Sequence, residues 1–107
     1  MNTLHSARGN RLRNRYLVCY DICEPKRLRK TYQKMRGYGE ALQYSVFLCE
    51  LSPKEKTIMI TELDDIINHA EDCIMTVDLG GIDRDIEAKV SFLGVSKEMP
   101  GRQTLII

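Results

Sequence analysis

Two prolines mark predicted helix starts in this chain, and they constrain its fold more than any other residues. Pro25 comes shortly after the apolar, β-prone residues 16–20, and proline suits the first turn of a helix, where its missing N–H has no intrahelical partner to lose. Residues 52–55, Ser-Pro-Lys-Glu, place Pro53 inside the capping-box pattern that starts helices. Both prolines therefore predict a strand that leads into a helix.

Apolar residues recur at helical spacing after each proline. Leu28, Tyr32 and Met35 follow one another at spacings of four and three, which predicts a helix with one buried stripe. Gly37 and Gly39 come next and should end that helix. The buried stripe predicted for the second helix consists of Met59, Leu63, Ile66 and Ile67.

Further β-prone runs alternate with these helices. Residues 42–51 predict one long strand or two short ones with a bend, and residues 73–79 predict a third strand region. Residues 90–95 and 104–107 are candidates for two more short strands. The predicted order is β-α-β-α-β-β-β. With helices covering one face of a sheet, this is an α/β (α+β) sandwich of ferredoxin-like βαββαβ type with an extra C-terminal strand.

Composition excludes several classes of protein. Hydrophobic residues make up 43% of the 107 residues and charged residues 29%, which argues against disorder. No run approaches the roughly 18 apolar residues of a membrane span, and no apolar secretory segment opens the sequence. The four cysteines lack C-x-x-C spacing and there are two histidines, so structural zinc has no plausible ligand set. We expect reduced thiols and a cytoplasmic location.

The chain length suggests a single domain, and the residues at its two ends predict a leader and a tail. Residues 1–15 carry four arginines and no acid, which predicts a basic, flexible leader that either contacts nucleic acid or has no role. Residues 16–107 are predicted to form one ferredoxin-like domain. Within it, residues 96–107 are expected to be a tail whose terminal strand reaches a partner, because an uncovered apolar edge strand invites aggregation.

The near-neutral total charge hides an asymmetry between the two parts of the chain. Residues 1–40 contain ten Lys and Arg against three acids, a net charge of +7, whereas residues 41–107 contain six against twelve, a net charge of −6. This separation indicates either a face that binds polyanions or ordinary helix surfaces that happen to segregate, and charge alone favours neither.

Asp21 is the sharpest local feature, because it directly follows the first apolar strand. Open α/β sheets often place ligand sites at the carboxyl ends of strands, and a carboxylate there could hold a hard divalent cation. The alternative is that Asp21 caps the following loop or helix. A metal site would need more than one carboxylate: water, a substrate phosphate or an acid from a symmetry-related copy.

The first helix is the second feature, because it carries a dense row of positive charge. Phosphate backbones bind such rows without reading sequence, whereas the alternative is a solvated helix face. Tyr44 and Phe47 are expected in the core rather than as base-stacking platforms. The candidate nucleic-acid-binding residues are Lys26, Arg27, Arg29, Lys30, Lys34 and Arg36, with no acid among residues 26–36.

Taken together, these residues resemble the CRISPR-associated protein 2 family. The resemblance rests on Tyr-Asp-Ile at residues 20–22, the basic residues 26–30, Gly39 and the string Gln-Tyr-Ser-Val-Phe at residues 43–47, and it extends over residues 16 to about 80. It implies a ferredoxin-like fold and a homodimer, with Asp21 lying near its twofold mate as a catalytic ligand of Mg²⁺ or Mn²⁺.

The resemblance also implies two functions. One is a scaffold in CRISPR spacer acquisition, in which the dimer bridges dimers of the CRISPR integrase, CRISPR-associated protein 1, and holds a prespacer DNA duplex. The other is a metal-dependent endonuclease on RNA or DNA. Outside the family, a generic ferredoxin-like RNA-binding domain is a further alternative. Ala41 stands where many members carry Arg, which removes one candidate phosphate contact.

Overall fold

The computed structural model describes residues 13–82 and 89–94, and within them the chain follows a βαββαβ order. The elements are β1 (Asn14–Asp21), α1 (Pro25–Met35), β2 (Gly39–Gln43), β3 (Val46–Leu51), α2 (Pro53–Ile66) and β4 (Cys73–Gly81). This is the predicted α+β arrangement. The expected leader up to residue 12, the tail 96–107 and the strand at 104–107 lie outside the described residues.

The strands form one four-stranded sheet in the order β2-β3-β1-β4, and every pairing is antiparallel. β1 is central, with Val18 opposite Phe47 of β3 on one side and opposite Thr76 of β4 on the other. Because successive side chains alternate between faces, β1 sends Tyr16, Val18 and Tyr20 into the buried core on the helix side. Asp21, one residue further on, belongs to the opposite face.

The main core lies between the helices and the sheet. Its fully buried side chains include Val18, Met35, Phe47, Met59 and Leu63, which confirms Met35 and the centre of the α2 stripe as predicted. Leu28 and Tyr32 pack against this core but are only partly buried. Thr31 is also fully buried, and its hydroxyl has no hydrogen-bond partner among the described residues.

Both predicted helix starts are confirmed. Ser52 accepts a hydrogen bond from the backbone N–H of Glu55 at 3.2 Å, and the Glu55 carboxylate accepts one from the Ser52 N–H at 2.8 Å, which completes the capping box. At α1 the N-cap is Glu24, whose carboxylate accepts from the Arg27 N–H at 2.8 Å. Glu24, and not Asp21, is therefore the cap of α1, and the alternative prediction that Asp21 caps this helix is wrong.

The strand boundaries differ from the sequence prediction in instructive ways. β1 begins at Asn14, and residues 42–51 divide into two strands at the turn formed by Tyr44 and Ser45. β2 starts at Gly39 rather than at residue 42, because Gly39 pairs directly with Cys49. A Cβ atom at Gly39 would lie 2.5 Å from the Leu48 carbonyl oxygen, so only glycine fits there without a shift.

Over residues 89–94, the part that the structure describes, the strand predicted at residues 90–95 is reduced to an isolated β-bridge at Phe92. Val90 and Phe92 pack instead against the sheet face opposite the helices, beside the buried Leu42 and Leu48. We call this the open face. Even with that cover it leaves apolar surface exposed: Met75 is 53% and Val77 37% exposed.

Neither helix of the described residues is long and apolar enough to cross a membrane.

Candidate metal and nucleic-acid site

Asp21 lies at the carboxyl end of the central strand β1 and belongs to the open face of the sheet. It is exposed and pairs with Cys73 at the start of β4. A shallow cleft with a cavity volume of about 200 Å³ opens beside it. The cleft is lined by Cys19, Tyr20, Asp21, Ser45, Val46, Cys73 and Met75. Asp21 thus lies at the end of the strand, where the sequence places it, and the structure shows an apolar surface beside it.

The donor atoms around this cleft fall short of a metal site within one chain. Among the described residues that line the cleft, Asp21 supplies the carboxylate, and Ser45 and Tyr20 supply the side-chain hydroxyls. Over residues 13–82 and 89–94, no three His, Cys, Asp or Glu side chains are grouped to hold an ion. Hard cations such as Mg²⁺ take six oxygen ligands, of which water and substrate phosphates commonly supply several. A site here needs donors from outside the single chain.

Tyr20 ties the cleft to the neighbouring turn. Its hydroxyl donates to the backbone carbonyl of Tyr44 at 2.5 Å, and its N–H donates to the Ser45 carbonyl at 3.0 Å. Burial, together with the nearby Tyr44 and Tyr32 rings, raises the pKa of Tyr20 well above its ordinary value. The phenol therefore stays protonated at neutral pH and acts here as a hydrogen-bond donor.

The basic residues of α1 divide into two groups. Lys26, Arg29, Lys30 and Arg36 are exposed and make no ion pair with another described residue. Lys34 lies 3.7 Å from Glu62 of α2, in a contact open to solvent. Exposed pairs of this kind are weak. Five of the six predicted cationic side chains can therefore reach a phosphate without breaking a strong contact.

Arg27 is the sixth, and its guanidinium already has partners. Its Nε donates to the Asp72 carboxylate at 2.7 Å, and its Nη2 donates to the Glu71 carboxylate at 2.9 Å. Hydrogen bonding to Asp72, followed by that to Glu71, raises the pKa of Arg27 further above its ordinary value. Sequence inspection gave no sign of this pairing, since the partners stand 44 and 45 positions along the chain.

The aromatic residues correct one expectation. Phe47 is fully buried, as predicted, but Tyr44 is 38% exposed and lies in the turn between β2 and β3. Tyr44 stacks on Tyr32 of α1 with ring centroids 4.4 Å apart and planes 6° from parallel. The placement of Tyr44 at a turn, next to Ser45, was the one available signal that its ring would reach the surface.

Fold and site together define a small ferredoxin-like α+β protein with a lone carboxylate at the end of its central strand and a cationic helix beside it. The family model described as CRISPR associated protein Cas2 matches residues 14–85, and the chain belongs to this family.

Relatives and solved structures support that assignment. The chain is 38% identical over 92 residues to the CRISPR-associated endoribonuclease Cas2 1 of Rhodospirillum rubrum, covering 86% of this chain and 89% of that protein. It is 37% identical over 92 residues to the CRISPR-associated endoribonuclease Cas2 of Geobacter sulfurreducens, covering 86% and 96%. The crystal structure of Streptococcus pyogenes Cas2 at pH 6.5 superposes with a TM-score of 0.68 at 32% identity, covering 75% of this chain and 99% of that one.

Proposed function

We propose that this protein is a dimeric, DNA-binding scaffold of CRISPR spacer acquisition, which bridges dimers of the CRISPR integrase and holds the prespacer duplex. The observation that carries the proposal is the surface of α1, where Lys26, Arg29, Lys30 and Arg36 are exposed and without ionic partners among the described residues. An adaptor for arbitrary spacers has to bind DNA through phosphates alone, and cations of this kind do so. Lys34 extends the row, and Arg27 joins it if a phosphate displaces Glu71.

The dimer is proposed to form through the open face. Met75 and Val77 expose apolar area on β4, the strand at one edge of the described sheet, and a second copy would cover it by face-to-face packing. A twofold arrangement across this face also brings together two copies of Asp21, which lies at its end. The predicted tail at residues 96–107 and the predicted basic leader extend the proposal: the tail contacts a partner, and the leader contacts nucleic acid through the residues before β1, since residues 14 and 15 belong to that strand.

A second candidate function is metal-dependent endonuclease activity at Asp21. Two relatives named CRISPR-associated endoribonuclease favour it, as does the exposed carboxylate in its cleft. Two Asp21 side chains across a dimer axis repel one another unless a cation such as Mg²⁺ or Mn²⁺ lies between them. When bound, such an ion lowers the pKa of a coordinated water and polarises a phosphodiester. Within the chain, Asp21 would hold the ion and Ser45 would offer a neutral oxygen nearby.

The decisive experiment is insertion of a duplex into a repeat array by the partner integrase, with and without this protein. The scaffold proposal expects insertion to depend on the wild-type protein, to survive Asp21→Ala and to fail with the pair Arg29→Glu and Lys30→Glu. Lys54→Glu is the matched control, because Lys54 is exposed on α2 and has no ion pair with a described residue. Insertion that proceeds equally well with the α1 pair replaced contradicts the scaffold proposal.

A further inference from the structure

The stacked pair of Tyr44 and Tyr32 carries an inference that goes beyond duplex binding. We propose that the exposed ring of Tyr44 is a stacking platform for an unpaired nucleobase, so that the nucleic acid held on α1 has a single-stranded portion. The inference deepens the proposed function and rests on it. The nucleobase is recognised by its π-face, which makes the contact independent of base identity.

The ring geometry fits a platform. Behind Tyr44, the Tyr32 ring lies nearly parallel at 4.4 Å between centroids, and the Tyr32 ring in turn meets the buried Phe47 ring edge-on at 5.5 Å and 60°. Tyr44 is thus the outermost ring of a series anchored in the core. In the described part of the chain, Tyr32 is the one ring stacked on Tyr44, and no cation lies over it. Tyr44 is 38% exposed, which leaves part of the residue open to a ligand.

The platform is held before any ligand arrives. Its backbone carbonyl accepts the Tyr20 hydroxyl at 2.5 Å, and the carbonyl of the next residue, Ser45, accepts the Tyr20 N–H at 3.0 Å. These bonds fix a two-residue turn to the central strand. A rigid aromatic ring loses little conformational freedom when a base stacks on it, which favours binding.

Positive charge flanks the platform. Arg29 of α1 stands three positions before Tyr32, and Arg36, the C-cap residue that follows α1, stands four positions after it, so both lie on the side of the helix that carries the Tyr32 ring. Both arginines are exposed and without an ion pair among the described residues. Aromatic rings set within a row of cations are the arrangement by which proteins hold single strands, with phosphates on the cations and bases on the rings.

The platform also adjoins the Asp21 cleft. Tyr20 and Ser45 line that cleft; Ser45 belongs to the same turn as Tyr44, and Tyr20 donates the two hydrogen bonds that hold this turn. The turn that carries Tyr44 is therefore continuous with the wall of the cleft in which Asp21 lies. The alternative is that Tyr44 only shields Tyr32 and the edge of the core from water, in which case its loss affects stability and not the choice of nucleic acid.

Two DNA molecules separate these possibilities: a blunt duplex, and the same duplex with a short single-stranded extension at one end. We expect Tyr44→Ala to weaken binding of the extended DNA by about 5- to 150-fold, as for loss of one base stack, and to leave binding of the blunt duplex unchanged. Tyr44→Phe, the matched control, should bind both like wild type. Replacing the bases of the extension by abasic sites should reduce wild-type binding to the level of the Ala variant.

A second measurement needs no substitution. The fluorescence of 2-aminopurine in the extension should be quenched when wild-type protein binds, because the base stacks on an aromatic ring, and the same base analogue inside the duplex should not change. Equal losses of Tyr44→Ala on both DNA molecules, no loss on either, or unquenched fluorescence in the bound extension overturn the inference. If the inference fails in this way but blunt-duplex binding still depends on Arg29 and Lys30, the scaffold proposal stands. If the wild-type protein binds neither DNA molecule, the scaffold proposal and the Tyr44 inference are both overturned.

Discussion

Arg27 and Asp72 form an ion pair across the base of α1, with Nε of the guanidinium 2.7 Å and Nη2 3.3 Å from the two carboxylate oxygens. The Asp72 side chain is fully covered and also accepts the N–H of Cys23 at 3.0 Å and that of Asn68 at 2.8 Å. It thereby links the segment before β4 to the loop that follows Asp21. We call this set of bonds the Asp72 latch, and infer that it fixes the strand end at which the candidate carboxylate lies.

Removing the charge of the latch should change the pH dependence of stability. Arg27, foremost by hydrogen bonding, holds the pKa of Asp72 well below its usual range. A carboxyl group with a lowered pKa in the folded state stabilises the fold above its unfolded pKa of about 3.9 and loses that contribution as the pH falls toward the folded value. We therefore expect the free energy of unfolding of the wild type to fall more steeply than that of Asp72→Asn as the pH falls from about 5 to about 2.

Urea denaturation at a series of pH values measures this difference. Asp65→Asn is the control, because Asp65 is exposed on α2 and makes no ion pair with a described residue; its curve should run parallel to that of the wild type. Asp72→Asn should also be less stable than the wild type at pH 7, since it weakens a charge-assisted bond. Parallel curves for the wild type and Asp72→Asn would show that the latch adds nothing to acid sensitivity.

Neutralising part of the cationic row should reduce the salt dependence of duplex binding. If Arg29 and Lys30 contact phosphates in both protomers of a dimer, replacing both by Gln removes four contacts. The slope of log affinity against log salt concentration should then fall by about 3.6, at about 0.9 per contact. Titrations of a blunt duplex at several salt concentrations give the slope. Lys54→Gln should leave it unchanged, and an unchanged slope for the α1 pair places the DNA on another surface.

The sequence predicted those parts of the fold that local chemistry decides. Pro25 and the capping residues Ser52 and Glu55 start helices through bonds made within one turn, so a short window contains the whole signal. The start of β2 depends instead on the fit of Gly39 against Cys49 of the neighbouring strand. Cys49 is ten positions further along the chain, and the pairing is not given by the residues next to Gly39, where a glycine is equally typical of a helix stop.

The candidate site divides in the same way. The position of Asp21 followed from the end of an apolar strand, which is a local pattern. The pairing of Arg27 depends on Asp72, 45 positions away, and the exposure of Tyr44 depends on its stack with Tyr32 across two elements. The count of charged residues therefore predicted a cationic helix. It could not show that Arg27 is paired with Asp72 while the other basic residues of the helix remain available to phosphates.

Asp21→Asn tests the endonuclease candidate. The amide keeps the size of the side chain but removes the charge that a hard cation needs, so Mg²⁺-dependent cleavage of RNA or DNA should be lost. The fold should be unaffected, since Asp21 is exposed and does not cap α1. Cleavage assays with purified protein and matched circular dichroism spectra measure both. A variant that cleaves at the wild-type rate shows that any activity arises at another site or from a contaminant.

Gly39→Ala should destabilise the fold by about 1–3 kcal/mol, the usual cost of an added methyl group in a tightly packed place. Its Cβ would meet the Leu48 carbonyl at 2.5 Å and the Cys49 Sγ at 2.6 Å, and the carbonyl belongs to the backbone of β3. Gly37→Ala is the control: its nearest contact is 3.4 Å, to the Lys34 carbonyl. Thermal unfolding compares the two, and equal midpoints contradict the packing argument.

Val77→Lys should separate the dimer proposed for the open face. Val77 is 37% exposed on the edge strand β4 and lies opposite Leu17 of the central strand, within the apolar surface that a second copy would cover. Full burial of a valine side chain contributes about 1.5–3 kcal/mol, and covering the exposed third of Val77 contributes about a third of that, acting twice in a twofold dimer. Loss of about 1–2 kcal/mol corresponds to a dissociation constant raised by about 5- to 30-fold, before the cost of burying two ammonium groups is added.

Sedimentation equilibrium over a range of protein concentrations measures that shift. Ile60→Lys is the control, because Ile60 is 40% exposed but lies on α2, away from the open face. The two variants place the same new charge at similar exposure, so a general loss of solubility or folding would affect both. If a second copy covers the open face, Val77→Lys should weaken dimerisation and Ile60→Lys should not. If both variants associate as tightly as the wild type, the dimer uses another surface, and the second carboxylate proposed for Asp21 must then come from elsewhere.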